Sequence, residues 1–398
     1  MPDYQYITRQ HQLDLAISQM SGAECLGVDT ESSGYYTYFT ELCLIQISAG
    51  RMHFVIDTLQ NLDLSPLGRV MGNPDIIKIF HAAVSDVIEL KRAYDWEVAS
   101  VFDTLLACRM LGHKSCSLFN LVKHYEGVQL KKKEQKSNWK RRPLTESQLD
   151  YAHRDTIYLE SLMRKMQTEL EQLGLKSEYR AECDYMLEHV VVEPESNFNP
   201  DGWLKIAGNV QVSPIERGII RELYTLRDQR ARKDNMASFR LISNEGILRL
   251  ARNRAGTMDE LYQMRVGHPA FIKKEGKRIL EVLADPPEIQ ESDLPRPPER
   301  DPQEEALLKR LKKWRDAVAT HRGMDSALIA SNRVLLNVVQ NCPENIDALN
   351  RLGVMSGWKV QHYGPGILAA LHGKGEFELP PGLAVLTGND TRPPDPEK

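Results

Sequence analysis

Four carboxylates and one tyrosine are of residue types that could hold divalent metal ions, and the spacing within two pairs of them allows their side chains to act together. Asp29 and Glu31 lie two residues apart in a strand-like segment, so both side chains leave the same face of a sheet and can share a cation. Asp86 begins a predicted helix, and Tyr151 and Asp155 lie four residues apart on one face of another. Each feature also has an ordinary explanation: a strand end reaching solvent, a helix-capping aspartate, and a packed tyrosine beside an exposed aspartate.

Oxygen ligands of this kind suit two divalent metal ions, Mg²⁺ or Mn²⁺. Magnesium is usually held by one or two protein carboxylates together with waters and substrate phosphate. Two such ions about 4 Å apart can clamp a phosphodiester, one activating water and the other stabilising the departing 3′ oxygen. The six cysteines show neither C-x-x-C pairing nor histidines at zinc-ligand spacing, so we expect them to be reduced and mostly to pack. The sequence therefore contains no cluster of Cys and His residues that would indicate a softer metal.

An α/β domain is predicted to position these residues, since strand-like and helix-like segments alternate over the first 160 residues. Apolar runs predict strands at residues 26–30, 42–48, 52–57 and 76–80, and Gly50 supplies the turn of a hairpin between the second and the third. A helix is expected over residues 86–94, and helices dominate from Thr104 onward.

Past residue 198 the chain is expected to be all-helical, with one proline-rich interruption. Six of the nineteen residues from Asp285 to Gln303 are proline, which predicts a stiff acidic linker. The segments on either side resemble each other at an offset of 88 residues, as Leu226-Arg227-Asp228 and Trp314-Arg315-Asp316 illustrate, so a duplicated helical module is predicted. The predicted boundaries are 1–195 for the first domain, 210–285 and 304–375 for the two modules, 286–303 for the linker and 376–398 for a tail.

Charge is distributed unevenly on a chain whose net charge is −4. The first module has fifteen Lys or Arg against eight Asp or Glu over residues 215–280, and the second has ten against seven over residues 301–375. A basic run near the third carboxylate motif could grip a phosphate backbone, although a solvated loop is the ordinary alternative. Its candidate nucleic-acid-binding residues are Lys131, Lys132, Lys133, Lys136, Trp139, Lys140, Arg141 and Arg142.

No run approaches the roughly 18 apolar residues that a membrane span needs, and the N-terminus lacks the apolar core of a secretory signal. We therefore expect a cytoplasmic protein without membrane association. No obligate protein partner is evident from the sequence.

The ordered motifs resemble those of a known class. Asp29-Thr-Glu31, His81-x4-Asp86 and Tyr151-x3-Asp155 resemble the three motifs of DnaQ-like 3′–5′ exonucleases with a tyrosine in the third. The sequence around these motifs is similar to that of the ribonuclease D family at residues 37–48, 101–112, 117–130 and 135–152. Two later segments, residues 223–251 and 311–339, resemble the HRDC domain. The resemblance implies an α/β ribonuclease H-like exonuclease domain with a six-stranded core, followed by two all-α HRDC-type helical domains.

The resemblance also implies roles for the motif residues. Asp29, Glu31, Asp86 and Asp155 would bind the two metal ions, and Tyr151 would position the attacking water. The implied activity is that of a 3′–5′ exoribonuclease that acts on RNA with a free 3′ end, with transfer RNA precursors as substrates and nucleoside 5′-monophosphates as products.

Two other functions are open at this point. A 3′–5′ DNA exonuclease of a repair pathway would use the same motifs. A catalytically inactive RNA-binding scaffold would have lost a carboxylate, whereas all four are present.

The sequence departs from the family pattern after the first motif. Ser32-Ser33-Gly34 follows Glu31 where the family often has an aromatic residue, and aromatic residues begin only at Tyr35. The two modules also differ, since the first has Phe239 where the second has Ala327. Stacking of the terminal base is therefore expected to differ from the family, and the two modules need not bind alike.

Overall fold

The computed structural model describes residues 3–130, 133–193, 198–208, 210–295, 301–373, 383 and 385–386. The N-terminal domain is built on a six-stranded sheet with the order β1-β4-β3-β2-β5-β6. Its strands are β1 (Gln5–Ile7), β2 (Cys25–Ser32), β3 (Leu42–Ala49), β4 (Met52–Asp57), β5 (Ile77–Phe80) and β6 (Val101–Asp103). β2, β3 and β4 pair antiparallel, whereas β1, β5 and β6 join in parallel.

The strand predictions hold for the centre of the sheet. β2 to β5 appear within two residues of the predicted bounds, and Gly50 closes the β3–β4 hairpin with a φ of +57°. β1 and β6 escaped prediction because each has only three residues, too few to display an alternating pattern.

Helices cover both faces of the sheet. Leu26 and Val28 belong to one buried cluster and Cys25 to another, so alternation along β2 separates two cores. One face is covered by α1 (Gln10–Met20), α2 (Ser65–Met71) and α3 (Ala83–Tyr94), and the other by α4 (Thr104–Met110), α5 (Leu118–Glu126), α6 (Glu146–Arg154), α7 (Leu159–Gln172) and α8 (Lys176–Glu188). The predicted helix over residues 86–94 is confirmed, although it begins at Ala83.

The C-terminal half is helical and duplicated. A short helix, α9 (Leu204–Ala207), precedes the first module, which contains α10 (Pro214–Asp234), α11 (Ser238–Leu241), α12 (Asn244–Asn253), α13 (Met258–Gln263) and α14 (Pro269–Ala284). The second contains α15 (Pro302–Arg322), α16 (Ser326–Ile329), α17 (Asn332–Asn341), α18 (Ile346–Arg351) and α19 (Gly357–His372). Each helix of the second module begins and ends 88 residues after its counterpart, which confirms the predicted duplication.

The proline-rich stretch packs in part against the first module. Ile289 is buried in the core of that module, and its N–H donates to the Pro214 carbonyl at 3.0 Å. Leu294 is partly buried in the same cluster, and residues 296–300 lie outside the described residues. Most of the predicted tail also lies outside them, but the N–H of Leu386 donates to the Arg322 carbonyl at 2.9 Å. In the part of the chain that the structure describes, no helix is long and apolar enough to cross a membrane.

The prediction that all cysteines are reduced is wrong for one pair. Cys108 at the centre of α4 and Cys116 before α5 form a disulfide with their Cα atoms 5.7 Å apart. The short turn between the two helices brings these residues together, which spacing alone did not indicate. The remaining cysteines are free, and the first three are buried: Cys25, Cys43, Cys183 and Cys342.

Candidate active site

The four predicted carboxylates meet at one end of the central strand β2. Oxygens of Asp29, Glu31 and Asp155 all lie within 4.8 Å of one another. Asp86 is buried in the first turn of α3, where the Thr30 hydroxyl donates to its Oδ1 at 2.6 Å. The structure therefore brings together residues from three separate segments.

Parallel pairing of β2 and β5 puts Asp86 at this point. Gly27 is in register with Ile79, so β5 ends beside the carboxylate end of β2 and the chain then turns into α3. The Asp103 carboxylate accepts from the N–H groups of Ala82 and Ala83, each at 3.0 Å, and fixes the start of that helix. Asp103 was not among the predicted site residues.

Asp155 is held near Asp29 by a close approach of the α6–α7 junction to β2. A Cβ at Gly27 would lie only 2.7 Å from the Thr156 carbonyl oxygen, so a glycine is needed there. The Thr156 hydroxyl is also 2.6 Å from that of Ser48 on β3. Sequence inspection missed Gly27 and Thr156, although both are within two residues of a predicted ligand.

Burial and mutual repulsion shape the protonation of the cluster. Burial, followed by the charge of Asp155, raises the pKa of Asp29 well above its usual value. The pKa of Glu31 is raised by burial and by the three other carboxylates, and that of Asp86 by burial and Asp29. Burial raises the pKa of Asp155 to about 7. Such a cluster accommodates negative charge only if cations compensate it.

The donor set fits hard divalent cations. All four groups offer carboxylate oxygens, which Mg²⁺ and Mn²⁺ prefer. Within the described ranges, no Lys or Arg forms an ion pair with any of the four. Gln46, the register partner of Asp29 on β3, is fully buried, and its amide oxygen and nitrogen have no hydrogen-bond partner among the described residues. The protein thus leaves both charge and hydrogen-bonding capacity uncompensated around Asp29.

Tyr151 lies beside the cluster as a hydrogen-bond donor. Burial, followed by the charges of Asp155, Glu31 and Asp29, raises the pKa of its phenol. The phenol is therefore protonated at neutral pH and can donate a hydrogen bond to a neighbouring group.

The basic run near α6 divides into two groups, and the prediction for Trp139 and Arg142 needs correction. Trp139 is 2% exposed and packs against Tyr151, with ring centroids 6.1 Å apart. Arg142 donates to both carboxylate oxygens of the buried Asp57 at 2.7 and 2.6 Å. Both residues therefore support the packing beneath α6 and do not face a nucleic acid.

The rest of the run is more accessible. Lys140 pairs with Glu41 at 2.5 Å with both side chains partly exposed, and Lys133, Lys136 and Arg141 are exposed. Lys131 and Lys132 lie outside the described residues.

Comparison with known proteins agrees with this geometry. Residues 4–171 match the 3′-5′ exonuclease family, and residues 216–283 and 304–371 each match the HRDC domain. The chain is 27% identical over 380 residues to ribonuclease D of Bartonella henselae, covering 94% of this chain and 91% of that one. It is 28% identical over 364 residues to ribonuclease D of Escherichia coli, covering 90% and 95% of the two chains.

Two solved structures share the fold. The crystal structure of Escherichia coli RNase D aligns with a TM-score of 0.61 and 24% identity, covering 94% of this chain and all of the other. The catalytic core of RRP6 from Trypanosoma brucei aligns with a TM-score of 0.64 and 22% identity, covering 70% of this chain and 78% of that one.

The sheet order, the helices on both faces and the carboxylate cluster define a metal-dependent 3′–5′ exonuclease domain of the DnaQ-like type. Two HRDC domains follow it, and over 90–94% of its length the chain is similar to the bacterial ribonuclease D proteins compared above. The expected fold class, a ribonuclease H-like domain followed by two all-α modules, is confirmed.

Proposed function

We propose that this protein is a 3′–5′ exoribonuclease that removes nucleoside 5′-monophosphates one at a time from a free RNA 3′ end. The observation that carries the proposal is the convergence of Asp29, Glu31 and Asp155 within 4.8 Å, with Asp86 buried beside them. In the reaction, water attacks the phosphorus of the terminal nucleotide, the bond to the preceding 3′ oxygen breaks, and that oxygen takes up a proton.

The four carboxylates would hold two divalent ions. When bound, such ions lower the pKa of water and offset the charge that develops on the phosphate. Mg²⁺ and Mn²⁺ both suit this ligand set.

Tyr151 serves as a positioning residue in this proposal. Tyr151 precedes Asp155 by four residues at the end of α6, so its protonated hydroxyl would donate to one oxygen of that carboxylate and orient it. A hydrogen bond to a charged group contributes about 1.5–3 kcal/mol. We expect Tyr151→Phe to lower kcat roughly 10- to 150-fold and to leave KM for RNA nearly unchanged, which steady-state kinetics would measure.

Transfer RNA precursors with 3′ trailers are the substrates that the family suggests. The net basic first module supports an RNA partner, because phosphate-backbone binding depends on clustered Lys and Arg. We retain the predictions that the protein acts in the cytoplasm and needs no protein partner. The Cys108–Cys116 disulfide is a feature that cytoplasmic proteins seldom maintain, so its redox state in cells bears on that location.

The test is digestion of a 5′-labelled single-stranded RNA and its DNA counterpart with Mg²⁺, with Mn²⁺ and with EDTA. We expect a metal-dependent ladder that shortens from the 3′ end of the RNA. Asp29→Asn should reduce the rate at least about 10³-fold, because several kcal/mol of charge stabilisation depend on the metal ligands. Asp75→Asn, at an exposed aspartate in a turn, is the matched control and should cleave normally.

Preference for DNA in this assay would support the DNA exonuclease alternative instead. Full activity of Asp29→Asn, or cleavage in EDTA, would contradict the proposal.

A further inference from the structure

An exposed aromatic and basic patch lies where the first module meets the exonuclease domain. Tyr35 is 39% exposed and Phe239 is 45% exposed, although most large apolar side chains of both domains are buried. Their ring centroids are 5.1 Å apart. The two residues come from positions 204 apart in sequence, so only the docking of the two domains creates this pair.

Two cations flank the rings. The Arg240 guanidinium lies 4.0 Å from the centroid of the Tyr36 ring, and the Lys136 ammonium lies 5.8 Å from that of Tyr35. Lys136 and Arg240 are both exposed. Exposed rings interleaved with cations provide stacking faces and phosphate contacts on one surface, which is how single-stranded nucleic acids are bound without sequence preference.

The patch is held in a fixed position by polar contacts between the domains. The N–H of Ala237 donates to the Tyr36 carbonyl at 3.0 Å, and the N–H of Phe39 donates to Asn235 Oδ1 at 2.9 Å. The Tyr38 hydroxyl donates to Asp228 at 3.0 Å. These contacts fix the loop and leave the rings of Tyr35 and Phe239 open to solvent.

The patch adjoins the catalytic cluster along the chain. Tyr35 follows Glu31 by four residues, a length that spans at most about 14 Å when fully extended. The loop is folded back instead, since the N–H of Ser33 donates to the Glu41 carbonyl at 2.9 Å. An RNA whose 3′ end occupies the carboxylate cluster would therefore reach these rings with bases just upstream.

The equivalent positions of the second module are not exposed in the same way. At the positions 88 residues later, Phe239 and Arg240 are replaced by Ala327 and Leu328. Leu328 is buried in the core of the exonuclease domain. The positions that dock the second module on the exonuclease domain are thus occupied in the first module by an exposed aromatic residue and an exposed basic residue.

We propose that Tyr35, Phe239, Lys136 and Arg240 form a composite platform, called here the junction platform, that stacks the bases of single-stranded RNA upstream of the scissile nucleotide. The inference rests on the proposed exoribonuclease function and names how that site receives its substrate. It makes the first HRDC module part of the substrate path.

The test compares RNA substrates that do and do not reach the junction platform. A double variant, Tyr35→Leu with Phe239→Leu, keeps apolar bulk and removes the stacking faces. For a ten-nucleotide RNA, kcat/KM should fall roughly 5- to 150-fold, the cost of about one lost base–aromatic stack, through a higher KM. For a dinucleotide it should stay within about twofold, since a dinucleotide occupies the catalytic cluster alone.

Two control variants separate stacking from a structural effect. Tyr35→Phe with Phe239→Tyr retains both rings and should restore the activity on the ten-nucleotide RNA that the double leucine variant loses. Tyr262→Leu removes another exposed ring of the first module and should leave both rates unchanged. Arg240→Gln should lower the salt dependence of RNA binding by about one phosphate contact.

Binding in EDTA makes the inference testable apart from hydrolysis. If the wild type cleaves neither RNA, the proposed function fails, and anisotropy of a fluorescent ten-nucleotide RNA still measures the junction platform. Equal affinity of the wild type and the double leucine variant would overturn the inference. So would an equal loss of activity on the dinucleotide, because it would show a disturbed active site.

Discussion

A buried ion pair joins the second HRDC module to the exonuclease domain, and its removal should weaken that junction severely. Arg322 at the end of α15 donates to both carboxylate oxygens of Glu178 on α8, at 2.9 and 2.8 Å, and the two side chains are 1% and 3% exposed. The Tyr363 hydroxyl donates to the same carboxylate at 3.2 Å. Glu178→Gln leaves a buried guanidinium without its counter-charge, which costs about 3–5 kcal/mol. The opening equilibrium should rise roughly 10²- to 10⁴-fold.

Hydrogen exchange measures this effect best, because a chain with several domains need not unfold in a single step. Amides of α8 and α15 should lose protection in Glu178→Gln, while amides of β3 should not. Glu171→Gln is the matched control, since its pair with Lys176 is exposed and should contribute less than about 1 kcal/mol. A loss below about 1 kcal/mol for Glu178→Gln would refute the reasoning that the carboxylate compensates a desolvated charge.

Two further substitutions test the support of the site. Gly27→Ala should lower kcat about 10²-fold with all ligands retained, because its Cβ would meet the Thr156 carbonyl at 2.7 Å and shift Asp155, and misplacement by about 1 Å can cost that much. Gly22→Ala, which meets nothing within 4 Å, should keep full activity in the same kinetic assay. Asp57→Asn should lower the melting temperature at pH 7. Burial alone would raise the pKa of the Asp57 carboxyl, but the hydrogen bonds that it accepts, foremost from Arg142, lower that pKa below 3.8. The ionised carboxylate therefore stabilises the folded protein fully above the unfolded pKa of about 4. This stabilisation is lost as the pH falls through the folded pKa. Thermal unfolding from pH 7 to pH 3 should show the gap between wild type and variant closing below about pH 4, and a gap that is independent of pH would contradict this assignment.

The centre of the sheet and the pairing of Asp29 with Glu31 could be predicted because their signals are local. Apolar runs and a glycine turn indicated β3 and β4, and the two-residue spacing of Asp29 and Glu31 placed both on one face of β2. The meeting of these residues with Asp86 and Asp155 did not follow from any local pattern. It depends on β5 pairing in parallel with β2 and on the close approach at Gly27, which are both long-range contacts.

The basic run shows why charge counts mislead. Most of its residues are positively charged, but their environments differ. Arg142 has a buried partner 85 residues away in Asp57, whereas Lys136 is exposed beside Tyr35. A basic side chain that pairs with a buried carboxylate has a structural role. A count of charges along the sequence cannot reveal which basic residues have such a partner. Trp139 was misassigned for the same reason, because its burial depends on packing against α6.

The two HRDC modules have matching helices but different environments, and this divides their roles. The second copy commits Arg322 and Leu328 to contacts with the exonuclease domain, so its corner is fixed in a desolvated junction. The first copy is hydrogen-bonded to the loop after β2, whose Tyr38 also packs against the core of this module, and it keeps Phe239 and Arg240 exposed. If the junction platform binds RNA as proposed, the duplication supplies one module that docks on the catalytic domain through buried contacts and one that contacts the substrate. The net basic first module, which is hydrogen-bonded to the loop after β2, also gives a chain with a net charge of −4 a positively charged surface for the proposed RNA substrate.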